Sequence, residues 1–134
     1  MRYFKNEPRF KGVYSRNNLP KRDQRIEGAY VINLEDNTKA GSHWVALFVK
    51  RDKCTYFDSF GIEHIPIEIE KFIDGLSEID KNIFRVQSYD SIMCGYYCIK
   101  FIEYMFAGKK LTDFTNLFSP NDFEKNDAII KKMF

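Results

Sequence analysis

Apolar and polar positions follow distinct rhythms along this 134-residue chain, and each rhythm marks an element. Residues 29–34, AYVINL, are a β-branched and aromatic run that reads as a strand, closed by the turn Glu35-Asp36-Asn37-Thr38. Residues 43–49, HWVALFV, make a second, stronger strand reached through Gly41-Ser42. A tight turn at Arg51-Asp52 leads to a third strand, 54–57, and so short a connection makes the pair an antiparallel hairpin ended by Asp58-Ser59-Phe60-Gly61. Ile67, Ile69, Phe72, Ile73, Leu76 and Ile79 recur at helical spacing, so 67–79 reads as a helix, weakened at Gly75. Residues 82–87 read as a fourth strand. Residues 94–106 are apolar nearly all round and too long for a strand, which predicts a buried helix ended by Gly108. Ser119-Pro120 supplies an N-cap followed by proline and opens a last helix to Lys132. Ahead of all these, residues 5–25 are polar and broken by Gly12, Asn17-Asn18 and Pro20, so they read as loop and turn.

The predicted class is α+β, a mixed, mainly antiparallel sheet packed on the buried helix 94–106. Length adds that residues 1–134 form a single domain, large enough to bury a core without disulfide staples. The aromatic share of 16% points to a dense core or an aromatic groove. Three cysteines are an odd number and lack zinc-ribbon or disulfide-framework spacing. With no signal-peptide pattern and no apolar run of transmembrane length, an intracellular setting is expected, neither secreted nor in a membrane.

The net charge of +2 conceals an asymmetry. Residues 1–25 carry eight basic side chains against Glu7 and Asp23, a balance of +6, whereas the remainder carries thirteen basic and seventeen acidic, a balance of −4. This basic, loop-rich arm is a non-specific contact for DNA, a contact for an acidic partner, or a solvated surface.

Chemistry gathers at the start of the buried helix. Cys94 follows the loop Ser88-Tyr89-Asp90-Ser91 and precedes Gly95, where a helix N-terminus favours a thiolate and glycine leaves room for a substrate carbonyl. Cys98 lies one turn inward and reads as inert core; Cys54 has no evident partner. A nucleophilic cysteine needs a base. His43, at the start of a strand and beside Trp44, is better placed than His64, which sits in a loop and reads as surface. Antiparallel pairing brings the end of strand 54–57 beside the start of strand 43–49, which sets Asp58 next to His43 as its orienting acid, the alternative being a simple turn cap. Gln87 ends a strand just before the cysteine loop, where its amide could aim at a developing oxyanion. Zinc on Cys94, Cys98 and a histidine is the metal alternative, but no second ligand pair is present.

GSHWVALF, TYFDSFG and Gln87 with CGYYC resemble the adenovirus-type cysteine endopeptidases, which include adenovirus maturation proteases and relatives in virophages and Polinton-like transposons. FKGVYSRNNLP is similar to an F-x-G-V…L-P element of the transposon and virophage members, so the resemblance runs from about Phe10 to Phe106. It implies a papain-like, adenain-like fold and a thiol endopeptidase. His43 would be its base, Asp58 the orienting partner, Gln87 the oxyanion donor and Cys94 the nucleophile. The implied substrate is a viral or transposon capsid precursor cut at glycine-rich sites. A monomer, working in host cytoplasm or nucleus or in the virion, is expected. SUMO-type deconjugating proteases share the fold and residue order and are the alternative, although seven positions from Gln87 to Cys94 fit the adenovirus type better. The chain departs from the family at Asn17-Asn18, where an acidic residue is usual, and at 88–93, where small residues are. Nothing corresponds to the cysteine that pairs with a peptide activator, so no cofactor is expected.

Overall fold

A computed structural model describes residues 2–35 and 43–134, and its framework is a five-stranded sheet in the order β1-β2-β3-β4-β5. The strands are β1 (Phe10–Ser15), β2 (Gly28–Asn33), β3 (Trp44–Lys50), β4 (Lys53–Phe57) and β5 (Glu78–Lys81). The helices among the described residues are α1 (Ile67–Ile73), α2 (Cys94–Phe106), α3 (Leu111–Thr115) and α4 (Phe123–Lys132), with short 3-10 turns at Arg2–Phe4, Arg16–Asn18 and Arg22–Gln24.

The strand side chains alternate between two apolar layers, as the period of a pleated strand requires. Tyr30, Ile32, Val45, Leu47, Val49, Cys54 and Tyr56 pack against Ile69, Phe72 and Ile73 of α1. Ala29, Val31, Ala46 and Phe57 face the other way, onto Tyr97, Cys98, Phe101 and Ile102 of α2. Both faces are covered, which is why the central strands read as unbroken apolar runs. Small Ala29 and Ala46 lie on the α2 face; Phe57 stacks on Phe101 with ring centroids 5.3 Å apart.

The sheet is evenly mixed rather than mainly antiparallel. β2–β3 and β3–β4 are antiparallel, but β1–β2 and β4–β5 are parallel. Both edge strands lie outside the sequence-based expectation. β1 forms within the segment expected to be loop because its backbone finds β2, with Ala29 N–H donating to Arg9 O at 2.8 Å. Gly28 permits that approach, since a Cβ there would stand 2.4 Å from the Arg9 carbonyl. The expected helix 67–79 stops at Ile73, Gly75 turns at φ 90°, and Glu78–Lys81 pairs with β4 instead. The expected strand 82–87 pairs with no strand; Val86 N–H and Gln87 N–H both donate to Ser59 O, at 2.9 and 3.1 Å, and Asn82 makes side-chain bonds in place of a ladder. The hairpin of β3 and β4 is present, with Arg51 at φ 56° in its two-residue turn. α2 spans the expected residues. The last helix begins at Phe123, capped by Asp122 accepting from Lys125 N–H, because Asn126 holds Ser119 in the preceding loop. The turn expected after residue 35 and the Gly41-Ser42 lead-in lie outside the described residues.

The basic arm is partly neutralised by the body. Arg16 pairs with Glu68 at 3.8 Å and Arg22 with Asp74 at 2.5 Å, while Arg25 donates to the Phe72 and Asp74 carbonyls; Arg9 pairs within the arm, with Glu7 at 2.7 Å. Among the described residues no helix is long and apolar enough to cross a membrane.

Candidate active site

The hairpin brings the first residue before β3 beside the first residue after β4. His43 Nε2–H donates to Asp58 Oδ1 at 2.6 Å, both side chains buried. Asp58 is itself tightly held. Its Oδ1 also accepts from Phe60 N–H at 2.9 Å, its carbonyl accepts from Gly61 N–H, and Asn82 bonds both its backbone N–H and its carbonyl. The turn needs Gly61, at φ 61°, because a Cβ there would meet Arg85 N at 2.7 Å.

The other imidazole nitrogen, Nδ1, is buried and makes no hydrogen bond of ordinary geometry among the described residues. The Cys94 side chain nevertheless interacts with the ring and favours its protonated form. Burial pulls the His43 pKa down, but the bonds to Asp58 and Cys94 and their charges outweigh it and raise the value to about 9. The ring is therefore protonated at neutral pH. Phe60 stacks flat on it, with centroids 3.9 Å apart and planes 10° off parallel. Tyr89 meets Phe60 edge-on and carries the Arg85 guanidinium 4.3 Å or less from its own and the Phe123 ring.

Cys94 opens α2, which packs across β3. The N-cap residue Met93 offers this helix no side-chain cap, and its first turn has no acidic residue. Cys94 is only 3% exposed. Cys98, one turn on, donates to Trp44 O at 3.4 Å, and burial holds its thiol well above the ordinary range. Burial likewise pushes the Cys54 thiol up to about 12. His64 is exposed, and no group of three or more metal-ligating side chains occurs among the described residues.

Gln87 is fully buried, and both ends of its amide are set. Ser59 Oγ–H donates to Oε1 at 2.5 Å, and Nε2 donates to Ser91 O at 2.9 Å. An amide nitrogen carries two hydrogens, so one donor remains for a ligand. Sequence reasoning missed Asn82, Ser59 and Phe60. The signal for two of them was the run Asp58-Ser59-Phe60-Gly61, from which only Asp58 was assigned a role, although Ser59 serves Gln87 and Phe60 stacks on His43. Chemically, an imidazolium oriented by a carboxylate, a thiol at a helix N-terminus and a fixed amide donor form a set suited to acyl transfer.

Two structures of the ASFV pS273R protease match this chain. One gives a TM-score of 0.54 at 21% identity over 80% of this chain and 42% of that one. The other, its selenomethionine form, gives 0.53 at 23% identity over 64% and 37%. The chain shares their fold. It spans only 37–42% of their length. The SUMO protease Ulp1, with its catalytic cysteine oxidised to a sulfinic acid, is a further neighbour at a TM-score of 0.48 and 15% identity, covering 84% of this chain and 52% of that one. No family model and no curated protein sequence matches the chain.

Proposed function

We propose that the chain is a cysteine endopeptidase of the adenovirus-type, adenain-like group that cleaves glycine-rich sites in viral or transposon capsid precursors. The observation that carries this reading is the imidazole of His43 set between Asp58 and Cys94, bonded to the first at 2.6 Å and interacting with the second. A fold shared with a viral protease supports it, as does the ordered His, Asp, Gln, Cys spacing.

In the mechanism, protonated His43 stabilises the Cys94 thiolate, whose sulfur attacks the scissile carbonyl carbon and forms a C–S bond. The carbonyl electron pair moves onto oxygen, which the Gln87 amide and the Cys94 backbone N–H stabilise. On collapse the C–N bond breaks, and His43 gives its proton to the leaving amine. Neutral His43 then takes a proton from water, hydroxide attacks the thioester, and the C–S bond breaks to release acid and regenerate the thiolate–imidazolium pair. Asp58 keeps the imidazole in one orientation throughout and stabilises its charge.

The test incubates wild type and Cys94→Ala with a Gly-Gly-x peptide, a capsid precursor and an electrophilic ubiquitin-like probe. Cleavage of peptide and precursor by wild type alone is the expected result. Reaction with the ubiquitin-like probe alone would replace the maturation reading by the deconjugating one, and no Cys94-dependent turnover at all would remove the protease reading. The basic arm is the proposed place of any DNA contact, with binding at low salt that weakens steeply as salt rises.

A further inference from the structure

Ser91 is the knot of the loop that leads into α2. Its carbonyl accepts the Gln87 amide at 2.9 Å and its N–H donates to Ser88 O at 3.0 Å. Its hydroxyl accepts from Met93 N–H at 3.3 Å and donates to Asp127 Oδ2 at 2.8 Å. Asp127 belongs to α4, and its other oxygen, Oδ1, accepts from Tyr97 O–H at 2.7 Å. One carboxylate therefore joins the residue three before Cys94 to the residue three after it. The neighbouring Asn126, fully buried, donates to Val86 O at 2.9 Å, immediately before Gln87. α4 thus grips both ends of the segment that carries the amide donor.

We propose that Asp127 is a positioning residue for the oxyanion donor: through Ser91 it sets where the Gln87 amide stands relative to Cys94. This rests on the protease reading above. Ser59 already fixes which end of the Gln87 amide is oxygen, so the Ser91 carbonyl fixes the direction of the nitrogen. Oxyanion stabilisation depends on donors lying about 2.7–3.1 Å from the charge that develops, so a shift of the Ser91 carbonyl acts directly on the transition state. Among the described residues the His43–Asp58 pair shares no hydrogen bond with Asp127.

The test compares three reactions in wild type, Asp127→Ala, Asp127→Asn and Ser91→Ala. These are turnover of a Gly-Gly-x peptide, inhibition by a glycine-ended peptide aldehyde and alkylation of Cys94 by iodoacetamide. Turnover and the aldehyde adduct place negative charge on oxygen; alkylation does not. Asp127→Ala should lower kcat by about tenfold or more with little change in KM and weaken the aldehyde by a similar factor. Alkylation should stay within about twofold of wild type, because no oxyanion forms. Asp127→Asn, which keeps one acceptor oxygen, should recover part of the loss. If alkylation falls together with turnover, Asp127 serves general packing and the proposal fails; unchanged turnover sinks it equally. Should Asp127→Ala not fold, Ser91→Ala must show the same split for the proposal to stand, since it removes only the hydroxyl arm. A wild type that neither cuts the peptide nor binds the aldehyde ends the protease reading as well, whereas an active wild type with an unaffected Asp127→Ala ends this inference alone.

Discussion

Replacing Asp58 by asparagine removes one charge from a buried pair and keeps an oxygen near His43 Nε2, where the carboxylate bonds at 2.6 Å. In the intact protein the imidazole rises from an ordinary 6.5 to about 9, even though burial pulls the other way. That difference corresponds to at most about 3 kcal/mol in favour of the folded imidazolium, at about 1.4 kcal/mol per pH unit. A folded value above the unfolded one contributes stability that is complete below pH 6.5 and is lost as pH rises to about 9. In Asp58→Asn, burial is opposed by Cys94 alone, and the imidazole falls back toward 6.5 or below. The assay is urea unfolding of both proteins from pH 6 to pH 10, read as wild type minus variant so that other titrating groups cancel. The difference should shrink by up to about 3 kcal/mol across that window. In parallel, the alkaline limb of kcat/KM with a Gly-Gly-x peptide should move from about 9 toward 6.5, with activity at pH 8 down by about thirtyfold. A variant that keeps its alkaline limb at about 9, or a stability difference that is flat with pH, would refute the ion pair as what holds the proton.

Other outcomes follow from the same geometry. Phe60→Ala removes the ring stacked 3.9 Å from His43; loss of about 0.5–2 kcal/mol of cation–π attraction should shift the alkaline limb acid by up to about 1.5 pH units, read from the same profile. At neutral pH, iodoacetamide should label Cys94 and spare Cys54 and Cys98, which mass mapping of the modified peptides checks; both spared thiols are buried and raised by burial. Gly28→Ala should lower the unfolding free energy by more than about 1 kcal/mol in urea titration, because the glycine sits at φ 144° and its Cβ would meet the Arg9 carbonyl.

The helix at Cys94–Phe106 is legible in the sequence because its apolar run admits no other element of that length. The hairpin is legible because a two-residue turn leaves its strands one way to pair, and the meeting of His43 with Asp58 follows from that pairing. Those are local or nearest-neighbour consequences, decided by residues close in the chain. The edge strands are different. Phe10–Ser15 and Glu78–Lys81 carry polar, weakly patterned sequence, and they become strands only because β2 and β4 offer unpaired backbone beside them. Residues 82–87 look like a strand but are claimed by side-chain bonds from Asn82 and Gln87, which periodicity does not register.

The candidate site divides along the same line. Its four principal residues stand out by type and order, since an acyl-transfer set needs a thiol, an imidazole, a carboxylate and an amide. Their support does not. Phe60 on the imidazole, Ser59 on the amide and Asp127 on Ser91 belong to positions whose partners lie 17, 28 and 36 residues away. The sequence by itself determined the helix that Cys94 opens and the hairpin that brings His43 and Asp58 together, because short-range pairing and burial leave few alternatives. Only the tertiary structure decided how far Cys94 is covered and which side chains hold Gln87, because both depend on contacts between segments remote in the chain, Ser59 on the amide and α4 on Ser91 among them.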